Sequence, residues 1–122
     1  MRKPFLPSVL ICSLLLLQPA PAFASNVSTE RLETWCSGIS RSDEATELHG
    51  LCLGYVTGFL DGYYTASWAL PADLFCLPEG SSTVQVARVF IKWASANPNK
   101  VHKPAGEGLY SALIEGFPCG NQ

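Results

Sequence analysis

Gly50, Gly54, Gly58 and Gly62 recur every four residues inside one apolar stretch, His49-Gly-Leu-Cys-Leu-Gly-Tyr-Val-Thr-Gly-Phe-Leu-Asp-Gly62. Residues four apart stack on one face of a helix, so this spacing makes a stripe of bare backbone. Each glycine in a helix interior costs about 0.8–1 kcal/mol relative to alanine, so the stripe gives up roughly 3–4 kcal/mol of helix propensity. Close packing against a second surface would offset that loss, because van der Waals contact with the backbone replaces the missing side chains. The stripe is therefore expected to pack against another helix of the same fold or against a dimer mate. The helix itself is expected from Glu44 to about Ser67, with Ser42 or Asp43 as its cap. Its apolar positions, Leu48, Leu51, Cys52, Tyr55, Val56, Phe59, Leu60 and Tyr63, follow i, i+3, i+4 spacing. The run is too long and lacks the alternation of a strand.

The first residues belong to export rather than to the fold. Arg2 and Lys3 precede an apolar run from Leu6 to Leu17, and Ala22-Phe-Ala24 supplies a small-residue cleavage site. Residues 1–24 read as a secretory signal peptide, and residues 25–122 as a single helical domain starting at Ser25. The apolar run is too short to span a membrane comfortably, and no second such run follows, so no membrane association is expected after cleavage. The simplest compartment is the periplasm. The leader removes Arg2 and Lys3 from the eight basic residues, leaving six against ten acidic ones. Such an acidic chain offers no clustered basic face of the kind nucleic acid requires.

Four cysteines remain after cleavage: Cys36, Cys52, Cys76 and Cys119. An even number in a small exported domain, whose core alone is marginal, reads as two disulfides. Four cysteines allow three pairings. Their wide spacing does not suit zinc.

Three further helices complete the pattern. Leu32, Trp35 and Cys36 share a face of a short opening helix capped near Ser28, with Glu30 in its first turn. Ser82-Thr-Val-Gln85 matches a capping box for a helix from Thr83 to about Ala96, buried through Val86, Val89, Phe90, Trp93 and Ala94. Asn97-Pro98-Asn99 stops it. Pro104 opens a last helix with apolar positions Leu109, Tyr110, Leu113, Ile114 and Phe117. The fold class is thus all-α, a small four-helix domain stapled by two disulfides.

Residues with catalytic chemistry are sparse. His49 and His102 lie apart, without a zinc-binding spacing. A cysteine nucleophile would need a free thiolate, and neither a nucleophile elbow nor a phosphate loop is present. The chain is therefore not expected to be an enzyme, nor to need a cofactor or metal. Asp61 sits within the apolar helix, either paired or at its solvent edge. Tyr55, Tyr63, Tyr64 and Trp68 form an aromatic set, read first as core.

The order Cys52-x-Gly-Tyr-Val-x-Gly-x-x-Asp61, Phe75-Cys-x-Pro-x-Gly80, Gln85, Asn97-Pro98, His102-x-Pro-Ala105 and Ala112-Leu-x-x-x-Phe117-Pro-Cys119 resembles the Rap/Tai immunity family. Its members are small exported bacterial proteins that neutralise peptidoglycan amidase effectors of type VI secretion systems. The resemblance implies a helical, disulfide-linked, often dimeric fold that occludes an amidase. The rival reading is a periplasmic binding or chaperone-like module without an amidase partner. The preferred pairing is Cys36–Cys52, clipping the opening helix to the central one, with Cys76–Cys119 tying the connector to the chain end. A partner would meet exposed loops. The candidates are Leu74 and Phe75 in the 69–81 connector, and Asn99, Lys100 and His102 in the 97–103 turn.

Overall fold

The computed structural model describes residues 27–39 and 46–120. The expected signal peptide, the caps at Ser42 and Asp43 and the start at Glu44 lie outside those residues. Four α-helices follow in order: α1 (Thr29–Cys36), α2 (Glu47–Ser67), α3 (Thr83–Ala96) and α4 (Ala105–Gly116). A short 3-10 turn, Pro98–Lys100, precedes α4. Among the described residues there is no strand, only an isolated bridge between Ser28 and Pro104.

The helix starts follow side-chain chemistry. Ser28 caps α1 by accepting from the Arg31 amide, and Thr46 caps α2 by accepting from the His49 amide. At α3 the Ser82 hydroxyl accepts from the Gln85 amide while the Gln85 side chain accepts from the Ser82 amide, which completes the reciprocal box. Gly80 turns the chain into that cap at φ 77°, a conformation a β-carbon would strain.

The helices close on one core in which α1 touches each of the other three. Leu32, Cys36, Cys52, Val56, Val86, Phe90, Leu109 and Leu113 are fully buried, each large aliphatic or aromatic side chain contributing about 1.5–3 kcal/mol of transfer free energy. The positions expected to bury α3 and α4 are buried or half-buried. Small residues set the helix spacing. A β-carbon on Gly108 would lie 2.8 Å from the Thr29 methyl, and one on Gly116 would lie 2.5 Å from Val89 Cγ1.

Both disulfides form with the preferred pairing, Cys36–Cys52 and Cys76–Cys119, at separations of 16 and 43 residues. Loop closure of those sizes stabilises by about 3 and 4 kcal/mol in the chain-entropy model. The first is sealed in the core, and the second fastens the connector beside α4, where the Cys76 amide also donates to the Phe117 carbonyl at 2.8 Å.

Of the two surfaces expected against the glycine stripe, a helix of the same fold or a dimer mate, the described residues do not supply the first. An ideal β-carbon on Gly50, Gly54, Gly58 or Gly62 meets nothing within 4 Å. No described helix packs there. The buried residues of α2 are His49, Cys52 and Val56, which lie across the helix from the stripe and in its first half. With 21 residues against 14 in α3, α2 is about 10 Å longer, so its final turns extend past the bundle. That overhang exposes Tyr64 and Trp68, contrary to a core role, while Tyr55 and Tyr63 stay half-buried. Leu48 and Leu51 are also exposed, Leu48 at the rim of a depression that it shares with Trp35 of α1. Asp61 lies at the solvent edge.

Candidate functional site

All four described cysteines are consumed in disulfides, which removes any thiolate nucleophile. His49 is buried in α2 and His102 is exposed in the turn before α4. Among the described residues no group of three His, Cys, Asp or Glu side chains could hold a metal ion. What the fold displays is surface shape and charge.

The connector between α2 and α3 presents an apolar patch. Phe75 turns inward, 2% exposed, and stacks on Tyr63 at 4.2 Å between ring centroids. It is a core residue, out of a partner's reach. Its neighbour Leu74 points out, and the Leu74 amide donates to the Tyr63 hydroxyl at 2.9 Å, holding the loop against α2. Trp68 is 85% exposed, and Tyr64, Leu70 and Leu74, in the last turn of α2 and the connector after it, are exposed as well. Burial raises the Tyr64 phenol above its ordinary pKa, with the Tyr63 and Asp73 charges adding to the effect. The i, i+4 pair Tyr64 and Trp68 was the sequence signal for this patch; their exposure depends on where the bundle ends.

The second candidate loop sits elsewhere. The 97–103 turn is fastened to the first turn of α1, where the amides of Thr29 and Glu30 donate to the carbonyls of Lys103 and Val101 at 2.8 and 2.9 Å. The buried Thr29 hydroxyl adds a bond to the Lys103 carbonyl at 3.0 Å. This satisfies orphan donors at a helix start, a tertiary link that no local motif announces. Asn99 and His102 are exposed, and Lys100 lies over the Trp93 ring at 5.4 Å. The connector is tied to the C-terminal end of α4 and the turn leads into its N-terminal end. The 12 residues of α4 therefore separate the loops by about 18 Å.

Two shallow depressions follow the seam between α3 and α4. One, about 350 Å³, is lined by Val89, Lys92, Trp93, Asn97, Glu115 and Gly116. The other, about 380 Å³, is bordered by Pro78, Gly80, Gln85, Arg88, Val89 and Phe117. Trp93 Nε1 is buried and has no hydrogen-bond partner among the described residues.

No curated protein and no solved structure matches the chain. A family model described as Rap1a immunity proteins matches residues 28–119, a span that takes in all four helices and both disulfides. The chain belongs to the Rap1a immunity protein family.

Proposed function

We propose that this chain is exported to the periplasm, loses residues 1–24 and there binds and occludes a peptidoglycan amidase effector of a type VI secretion system. The reading rests first on membership of an immunity family, which implies binding of a secreted effector. The observation that supports it within the fold is the exposure of the apolar side chains Tyr64, Trp68, Leu70 and Leu74 around the end of α2 and the disulfide-fastened connector. Aromatic anchors of this type dominate protein interfaces. Inhibition would be by occlusion, with no chemistry, cofactor or metal supplied by this chain. No described helix is long and apolar enough to cross a membrane, and export with disulfide formation fits an oxidising compartment. Homodimerisation would use the open glycine face of α2, since no described helix covers it.

The test is co-expression in the periplasm with candidate amidase effectors, beginning with any encoded beside this gene, reading lysis. Protection by the wild-type chain supports the reading. Loss of protection is expected for Trp68→Ala/Leu74→Ser in protein that retains its melting temperature. Absence of protection by the wild type would favour a binding or chaperone-like module without an amidase partner.

A further inference from the structure

The two disulfides sit in opposite environments. Cys36 and Cys52 are both fully buried, in the same core cluster as Leu32 and Val56. Cys76 is half-buried and Cys119 is exposed, as are its neighbours Pro118 and Gly120. Thiol–disulfide exchange needs a thiolate to reach one sulfur of the bond, so access decides which disulfide reacts. Of the two, the folded chain offers only the second.

That bond ties together two segments of irregular backbone. Residues 69–82 contain no helix or strand, and Cys76 lies midway along them. Its partner Cys119 lies in the chain end that follows α4. The fastenings of the connector are unequal. Phe75, 2% exposed and stacked on Tyr63, belongs to the core. On either side of it stand single hydrogen bonds, from the Leu74 amide to the Tyr63 hydroxyl and from the Cys76 amide to the Phe117 carbonyl. Cleaving Cys76–Cys119 opens a cross-link of 43 residues and leaves Phe75 and Cys36–Cys52 in place.

We propose that Cys76–Cys119 is a redox latch on the connector, opened by a dithiol reductant while the helical core stays folded. One thiolate of the dithiol attacks the exposed Cys119 Sγ, the S–S bond breaks, and its electron pair leaves on Cys76 Sγ. The second thiolate of the dithiol then displaces Cys119 from the mixed disulfide. The two cysteines take up the two protons that the dithiol gives up, so the chain gains two thiols and the reductant becomes a disulfide. A dithiol suits this sequence because its second step is intramolecular. Leu70 and Leu74 are exposed on the connector. The latch therefore sets partner affinity by redox state, a consequence that rests on the effector-binding reading above.

The oxidised chain is treated with about 1 mM dithiothreitol, quenched at intervals with iodoacetamide, and its labelled cysteines are assigned by peptide mapping. Cys76 and Cys119 are expected to label at least about 10-fold faster than Cys36 and Cys52, whose exposure requires global unfolding. Labelling of all four together, or of Cys36 and Cys52 first, overturns the proposal. Amide hydrogen exchange then compares the oxidised and selectively reduced chains. Protection should fall at Leu74 and Cys76 and persist at Thr29 and Glu30, whose amides are bonded to the 97–103 turn. Unchanged protection at Leu74 and Cys76, or loss at all four, overturns the latch. Cys76→Ala/Cys119→Ala should reproduce the exchange pattern of the reduced chain; should that variant not fold, labelling and exchange of the wild type decide. A candidate amidase that binds the oxidised chain should bind the selectively reduced chain at least about 10-fold more weakly. Equal affinity overturns redox control of binding. If the oxidised chain binds no amidase, the effector reading fails by itself, and labelling and exchange still decide the latch.

Discussion

Replacing the α2 glycines by alanine tests the least expected feature of the fold. At Gly50, Gly54, Gly58 and Gly62 a β-carbon enters open space. Alanine there gains about 0.8–1 kcal/mol of helix propensity per site and meets no opposing atom. Gly54→Ala is therefore expected to stabilise the helical domain by about 1 kcal/mol, which in a domain of this size raises the melting temperature by about 4–8 °C. All four together should approach 3–4 kcal/mol. Gly108→Ala and Gly116→Ala are the opposing controls. Their β-carbons would press on Thr29, whose methyl stands 2.8 Å away, and on Val89 Cγ1 at 2.5 Å, so each should destabilise by about 1–3 kcal/mol. Thr29 has little freedom to retreat, since its hydroxyl donates to the Lys103 carbonyl at 3.0 Å. The assay is urea unfolding with the disulfides intact, comparing midpoints at constant slope. Repeating it across a 100-fold range of protein concentration separates the single chain from any self-association. Destabilisation by Gly54→Ala at every concentration would refute the open-face reasoning. Destabilisation that appears only at high concentration would identify a second copy on the stripe.

Three further outcomes are expected. Trp93→Phe should stay within about 1 kcal/mol of the wild type in urea unfolding, because the buried Trp93 Nε1 has no hydrogen bond to lose; Trp93→Ala should cost about 3–5 kcal/mol. Phe75→Ala should cost a similar amount by removing the ring stacked on Tyr63, whereas Leu74→Ser should change the unfolding midpoint by less than about 0.5 kcal/mol, as befits an exposed site. Alkaline titration should show Tyr64 and Tyr55 ionising above the ordinary 10.0, both chiefly through burial; at Tyr55 a hydrogen bond with the Gly106 backbone opposes the rise. The folded chain then holds phenolic protons that the unfolded chain has released, so this contribution is whole below pH 10.0 and is lost as pH rises through the folded values. Absorbance at 295 nm alongside unfolding midpoints checks the sign.

The sequence alone determined the helices, because local rules govern them. The Ser82–Gln85 box, the stop at Asn97-Pro98 and the spacing of Val86, Phe90 and Trp93 act within a few residues of one another, and the folded chain reproduces each. The disulfide count followed from parity and compartment, and the pairing formed as expected. Tertiary structure decided which apolar faces find partners. Gly50 to Gly62 and Leu51 carry the same helical periodicity as the buried residues, yet among the described residues no helix covers the glycine face and Leu51 stays exposed. Phe75 and Leu74 are adjacent in the chain and differ only in which one the Tyr63 ring receives. The sequence offered both loops flanking α3 as partner surfaces, the connector first for its Leu74 and Phe75, but not that one is fastened to the end of α4 and the other to the start of α1. Periodicity states that a face is apolar; only the lengths and crossings of neighbouring helices settle whether another surface lies within reach to cover it.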